Sequence, residues 1–473
     1  MTQPEPPPPR GSRLVLGYAL MLGASVAFFF LFRHLGGSLS PPEGPAATAR
    51  GGSYSGASET LLHVLLALGV VLVVARVLGA VFKYFHQPPV IGEVIAGIIL
   101  GPSLLGRVAP QVSQFLLPPN IAPFLGMISQ IGVILYMFLV GLELNTQLLH
   151  KRTHASIAVS HASIVVPFTL GSAAALWLYP HYSNSNVSFT VFALFMGVSM
   201  SVTAFPVLAR ILTDQNMQKT RMGSIALACA AVDDATAWCL LAFVVSIVNA
   251  EPGRTFLTVG LTGGYIAAML FLVRPLVLRF VRWHETSQNL TQNAFAGVCV
   301  ALLASSLVTE LIGIHALFGA FLLGAIVPHD SALAREISGK LEDLVIVLFL
   351  PAFFAFTGLR TQIGLVNSAP QWLACLGIIL VASIGKFGGS SVAARLTGMP
   401  WRESVALGVL MNTRGLMELI VLNVGLDLGV LSPTLFAMLV VMALVTTFAT
   451  TPILNRVYQP ESPRLPNGEL AGS

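Results

Sequence analysis

Fourteen apolar stretches, bounded by polar or Pro/Gly clusters, run through the 473 residues at roughly 14–33, 61–83, 89–105, 122–144, 155–178, 187–213, 221–249, 255–280, 293–309, 311–328, 342–359, 371–394, 404–428 and 434–456. A helix needs roughly 20 predominantly apolar residues to cross the hydrocarbon core of a bilayer. Lipid offers the backbone no hydrogen-bond partners, so only helices and closed barrels can span it. Stretches of this length are helices. With 55% hydrophobic and 10% charged residues, against about 25% charged in soluble domains, the chain is predicted to be an all-α polytopic membrane protein. The turn near Gly313 makes the boundary between the ninth and tenth spans the least defined.

The 25 Lys and Arg form no basic cluster longer than two, so the positive balance points to topology and the lipid bilayer, with no nucleic-acid partner. If the amino terminus is cytoplasmic, seventeen of them lie at or beside cytoplasmic ends, whereas Arg33, Arg50, Arg107, Arg254 and Arg360 lie outside and Arg76, Lys386 and Arg414 lie within spans. This bias predicts an even number of spans with both termini cytoplasmic; the membrane is expected to be the cell inner membrane. The first span has the basic lead of a signal peptide, but "LFRHLGGSLS" has no A-x-A-like cleavage site, so a retained helix is expected. The first 60 residues divide into this extra helix and a Gly/Ser/Ala/Pro-rich outer linker over 34–60, and 457–473 reads as a short cytoplasmic tail. Cys229, Cys239, Cys299 and Cys375 all fall in apolar runs and read as small hydrophobes.

The spans repeat. "VIGEVIAGIILGP" is echoed by "IHALFGAFLLGAIVP", "YMFLVGLELN" by "FFAFTGLRTQ" and "SVTAFPVLAR" by "LMNTRGLMEL", with offsets of 223 (Gly101 to Gly324), 217 (Gly141 to Gly358) and 210 (Thr203 to Thr413). Under the charge-derived topology span three points outward and span ten inward, so the repeats are inverted. In secondary transporters such repeats bring interrupted helices together near the bilayer midplane. Two interruptions are visible. Span six carries Thr203, Ala204, Phe205 and Pro206, where Pro206 removes a backbone donor. Span thirteen carries Asn412, Thr413, Arg414 and Gly415, which weaken the helix at similar depth.

Within span seven, "GSIALACAAVDDATAWCLLAFVVSIV" places Asp233 and Asp234 side by side in apolar surroundings. An ionised carboxylate near the bilayer centre costs roughly 2.5–3.5 kcal/mol on insertion scales and is tolerated beside water, a cation or a counter-charge. Two carboxylates this close do not both ionise freely in a low dielectric unless a cation or lysine compensates. Lys386, deep in span twelve among small residues, is such a group. Arg414 and Glu418, four residues apart, can pair on one helix face in a structural role. A monovalent cation would find oxygen ligands in Asp234, with Asp233 and Thr203 as further candidates; if protons compete for the same carboxylates, exchange follows. His315 is a core hydrogen-bonding group or a tuner of pH response. Glu93 and Glu143, near cytoplasmic ends, read as solvated or paired.

Taken in order, "QPPVIGEVIAGIILGPSLLG", "LYMFLVGLELN", "VSMSVTAFPVLARIL", "AVDDATAW", "HALFGAFLLGAIVP", "IGKFGG" and "MNTRGLMELIVLNVGLDLGVLS" resemble the monovalent cation:proton antiporters over residues 61–456, specifically the branch of bacterial sodium/proton exchangers, Kef-type potassium systems and plant cation/proton exchangers. The resemblance implies a homodimer of thirteen family helices per chain, here with one extra amino-terminal span. It implies a dimer part at about 61–144 and 293–359, a linker helix at about 255–280, and a moving core at about 155–249 and 371–456 that slides as an elevator. It also implies Asp234 as carrier of Na+ or K+ and of protons, Asp233 in a salt bridge with Lys386 that the cation breaks, Thr203 at the unwound crossing, and no cofactor besides the transported ions. The aspartate pair with lysine resembles electrogenic members, whereas "TAFPVLARIL" and "NTRGLMELIVLN" resemble potassium exchangers. Kef-type systems normally carry a nucleotide-binding domain after the last span, and no G-x-G-x-x-G pattern stands here.

Other classes fit less well. A Kef-like potassium efflux channel or carrier without its regulatory domain is one alternative and a sodium-coupled solute symporter another, although no spare polar cluster suggests an organic-substrate pocket. A channel more often shows a pore loop or a ring of identical residues. An intramembrane aspartyl protease would place its acids on separate helices, so an enzyme is not expected.

Overall fold

Glycine-rich apolar sequence gives the chain long helices whose backbones come close together, and this governs its architecture. The computed structural model describes residues 11–37, 39, 57–85, 87–143, 154–215, 217, 220–249, 255–287 and 290–458, and no strand occurs among them. The helices are α1 (Gly11–Gly36), α2 (Ala57–Tyr84), α3 (Pro89–Leu100), α4 (Leu105–Val108), α5 (Pro110–Leu116), α6 (Ala122–Glu143), α7 (His154–Tyr182), α8 (Phe189–Ser201), α9 (Phe205–Asp214) and α10 (Arg221–Asn249). They continue as α11 (Thr255–Ala268), α12 (Arg274–Ser287), α13 (Gln292–Ile312), α14 (Ala316–Ala325), α15 (Ala332–Leu344), α16 (Leu350–Arg360), α17 (Ala369–Ser383), α18 (Gly389–Leu396), α19 (Trp401–Met411), α20 (Leu416–Asp427) and α21 (Pro433–Val457). Single π-helical turns join α11 to α12, α15 to α16 and α17 to α18. Most of the expected outer linker and tail lie outside the described residues.

Among the described residues, eleven helical segments are long and apolar enough to cross a membrane, and the α19/α20 pair, bent by 42°, makes a twelfth. The expected first span falls on α1, whose apolar stretch includes Leu20–Gly36, and the expected tenth on the shorter apolar helix Ala316–Ala325. The tenth is short because Gly313 and His315 take φ values of 94° and 77°, turning the chain sharply out of α13. The eleventh is longer than its apolar core at 342–359, because the amphipathic α15 runs into α16 through the π turn at Val345–Phe349.

Two helix sets emerge from the packing. In the first, α3 lies against α2 and α16, while α14 lies against α13 and α6. A Cβ built on Gly92 would sit 2.6 Å from the Leu78 carbonyl carbon of α2, and one on Gly319 would sit 2.5 Å from that of Ser305 in α13. Likewise Gly97 admits no Cβ beside Ala355 and Gly358, nor does Gly324 beside Phe138 and Gly141. Gly92 to Gly319, Gly97 to Gly324 and Leu78 to Ser305 share one offset of 227, and Gly141 to Gly358 and Phe138 to Ala355 share one of 217. The two halves therefore repeat the same backbone-to-backbone contacts, Gly92 and Gly319 packing within their own half and Gly97 and Gly324 against the other. Gly97 is the packing equivalent of Gly324, one helical turn from the Gly101 that sequence comparison aligns with it. The Gly-Ile-Leu-Gly texture of the segment hides such a shift.

The second set gathers α7, α8, α10 and α17–α21, with α7 packing on α8, α10, α17 and α18. Helix α1 joins this set. Ser25 and Thr169 hydroxyls are 2.9 Å apart, the Phe29 and Phe168 rings lie 6.4 Å apart, and Gly36 rests on Phe189. Val26, Phe28 and Phe30 on α1 are exposed. All four cysteines are free, with Cys229 and Cys375 buried.

Candidate functional site

The two interruptions cross in the second helix set. Helix α8 ends at Ser201; Val202 and Ala204 are extended, and Pro206, in the first turn of α9, spends no needed donor there. Helix α19 ends at Met411, Asn412–Gly415 leave the helix, and α20 starts at Leu416. The two non-helical segments of the crossing are joined by a main-chain bond, Ala204 N–H to the Thr413 carbonyl at 3.0 Å. Gly415 lies so close to Val207 that a Cβ there would sit 2.6 Å from Cγ2.

Each broken end leaves unsatisfied backbone groups and a partial charge. At the C-terminal end of α8, the Arg414 guanidinium donates to the Ser199 and Met200 carbonyls, each at 2.8 Å, and to Glu418 Oε2 at 2.8 Å. Thr447 of α21 clasps the Arg414 backbone, accepting from its N–H and donating to its carbonyl. Glu418 is in the first turn of α20, where a carboxylate suits the positive end. At the N-terminal end of α9, Asp234 Oδ2 accepts the Phe205 N–H at 3.2 Å. The Met411 carbonyl at the end of α19 lies 3.2 Å from the Thr203 hydroxyl.

Asp233, one residue earlier on α10, points into a different environment. Its Oδ1 accepts from Ser160 at 2.9 Å; its Oδ2 accepts from Ser163 and from Lys386 Nζ at 3.1 Å. Thr203 takes a hydrogen bond from Lys386 and has its own hydroxyl 2.9 Å from Asp233 Oδ2. Lys386 sits in the π turn between α17 and α18 and, like Asp233, is 0% exposed. The turn comes close to α7 because Gly385 leaves no room for a Cβ beside Pro167, 2.8 Å from its Cα. "IGKFGG" thus delivers a cation into the interior, where removing either partner would leave the other charge buried and unpaired.

Asp234 is nearly as buried as Asp233, at 4% exposed, yet its Oδ1 has no partner. Thr413 Oγ1 and Asn412 Oδ1, in the opposite break, are buried and unpartnered too. Buried polar oxygens without partners are costly, and here one belongs to the carboxylate that holds the α9 N-terminus and two to the break that Thr413 joins to Ala204. Such oxygens suit a small hard cation, and the carboxylate can instead take a proton.

All twelve residues singled out in the sequence, from Thr203 to Glu418, lie at or within one turn of this crossing. Sequence reading missed Ser160 and Ser163 of α7 and Thr447 of α21. Two hydroxyls a turn apart in an apolar span were the available signal for the serines. His315 lies elsewhere. It lines a small cavity with Ser129, Asn423 and Asp427, where Arg360 of α16 donates to Asn423 at 3.1 Å and Asp427 at 2.6 Å. Glu93 is buried, with Gly79 of α2 beside it, which corrects the solvated reading.

A multi-pass helical protein with crossed helix breaks around a buried carboxylate pair defines a class, the ion-coupled carriers. Residues 62–456 match the family described as "Sodium/hydrogen exchanger, transmembrane", and the chain belongs to that family. It is 44% identical to the Na+/H+ antiporter NhaS4 of Synechocystis sp., covering 85% of this chain and 98% of that protein. Cation/H+ antiporter 17 of Arabidopsis thaliana is 38% identical (88% of this chain, 51% of the relative), and K+/H+ antiporter 1 of Saccharomyces cerevisiae 35% identical (87% and 48%), so the chain spans about half the length of these two. The sodium proton antiporter MjNhaP1 of Methanocaldococcus jannaschii shares the fold, with a TM-score of 0.58 at 16% identity over 84% of this chain and 96% of that one. As in its relatives, the chain is a transporter and not an enzyme.

Proposed function

We propose that this protein exchanges a monovalent cation, Na+ or K+, for protons across the cell inner membrane, with both termini cytoplasmic and no resident cofactor. The observation that carries the reading is the contrast at Asp234: a buried carboxylate with one oxygen on the α9 N-terminus and the other unpartnered, at a crossing whose other break holds two more unpartnered oxygens. Asp234 is the carrier. Thr203 and the opposed break contribute oxygens, and Lys386 neutralises Asp233. A cation loses its water to these oxygens and a proton replaces it on the return.

Because the site is buried between crossed helices, access alternates by movement of the second helix set, the core, as an elevator against the first, the dimer part of a homodimer. Two protons per cation, one returned on Asp234 and one on the Asp233–Lys386 pair, move one net charge, worth about 2.3 kcal/mol per 100 mV, so exchange is electrogenic. Proteoliposomes with an internal pH dye, challenged with Na+, Li+, K+ and Rb+ at set membrane potential, test this. Cation-driven proton movement between pH 6 and 9 is expected for the wild type, and its absence rejects antiport. Asp234→Asn is expected to fall to the protein-free rate; exchange that persists moves the carrier elsewhere. Lys386→Ala is expected to lose voltage dependence, and unchanged voltage dependence removes the lysine from the charge-moving step.

A further inference from the structure

We propose that Ser160 and Ser163 are positioning residues that hold Asp233 out of the cation's coordination shell, so that the transported ion meets one carboxylate and not two. The inference rests on the carrier role given to Asp234. A carboxylate offers about four lone-pair positions. On Asp233 the Ser160, Ser163 and Thr203 hydroxyls and the Lys386 ammonium all lie within reach of them. Thr203 has one proton to give and the Met411 carbonyl also within reach, so the two serines are the donors that Asp233 does not share. They come from α7, on the side held by the close approach of Gly385 and Gly389, and they address both oxygens. Asp234 receives one main-chain N–H and keeps its second oxygen open.

The division has a consequence for selectivity. With Asp233 turned to its serines and balanced by Lys386, the ion faces one negative charge, which a monovalent cation neutralises and a divalent cation overshoots in a buried site. Without the serine hydroxyls, both oxygens of Asp233 lose a donor in a dry interior. A carboxylate left so seeks another partner, and the adjacent cation is available. The ion would then be shared between two carboxylates, held more tightly and released more slowly.

The experiment measures exchange kinetics of Ser160→Ala/Ser163→Ala in proteoliposomes, with and without Ca2+ or Mg2+ as a competitor. Expected are an apparent KM for the transported cation lowered about fivefold, a kcat lowered to a similar degree, new competitive inhibition by the divalent ion, and recovery of wild-type values in Ser160→Thr/Ser163→Thr. An unchanged KM with no divalent inhibition, or a KM that rises as kcat falls, overturns the proposal. Should the double variant not fold, Ser160→Ala alone, which frees Oδ1, is expected to show the same split in smaller measure, and its absence counts equally against the idea. Asp234→Asn, run in parallel, separates the two levels: exchange surviving there removes the carrier assignment, whatever the serine variants do.

Discussion

The scaffold seams and the helix crossing descend from the same repeated pattern, yet they differ in how faithfully they keep it. In the seams the two halves agree contact for contact, with Gly97 on Ala355 and Gly358 answered by Gly324 on Phe138 and Gly141. At the crossing, Thr203 and Thr413 are equivalent by offset, and little around them matches. The first break is served by Asp234 and has Arg414 plugging its α8 end; the second is served by Glu418 and by the Thr203 hydroxyl. Packing favours repetition because small residues solve the same steric problem in either half. Carrying an ion needs a surplus of charge at one place, and an exact repeat would supply it at two.

The largest expected effect comes from breaking the asymmetry. Arg414→Ala leaves Glu418 buried without its counter-charge and the Ser199 and Met200 carbonyls without a donor, and is expected to cost about 3–5 kcal/mol, read as loss of thermal stability in detergent. If Arg414→Ala/Glu418→Ala recovers most of that loss, the pair is an electrostatic plug. If it recovers none, the carbonyl contacts dominate. Next come the seams, where symmetry is the prediction. Gly141→Ala and Gly358→Ala each force a methyl against facing backbone and are expected to cost about 1–3 kcal/mol apiece, in equal measure. Unequal losses in the same assay would show that one half carries more of the scaffold. The smallest effect concerns protons. A proton competing with the cation at Asp234 raises the apparent KM for the cation as pH falls, by up to roughly tenfold per unit. A steeper slope in flux measurements would bring the Lys386 side into the competition; a flat one would take Asp234 out of it.

What the sequence disclosed follows from cost. Asp233, Asp234, Lys386 and Arg414 stand out because charge in an apolar span is expensive, and Pro206 because it cannot give a hydrogen bond. The spans were legible for the same reason, through length without polarity. Ser160 and Ser163 stayed hidden because a hydroxyl in an apolar helix is cheap, able to bond back to its own backbone as Thr169 does to Val165. The π turn that places Lys386 has no periodic signature, since one extra residue per turn alters no composition. Glycine marked the seams, but with a glycine every few residues in α3 the register could slip by a turn, and only the contacts of Gly92 and Gly97 fix it.

The exchange of partners in those seams also orders events at the ribosome. Gly141 of α6 finds its contact on Gly324, about 180 residues further along the chain, and Gly97 of α3 waits still longer for Ala355 and Gly358. At a synthesis rate of roughly 5–20 residues per second, α6 spends about 10–40 s in the bilayer with its glycine face uncovered. Gly92 and Gly319 close their seams within a half, but neither half can cover Gly97 or Gly324 alone, so the scaffold is completed late, when the second copy of the pattern arrives to cover the first.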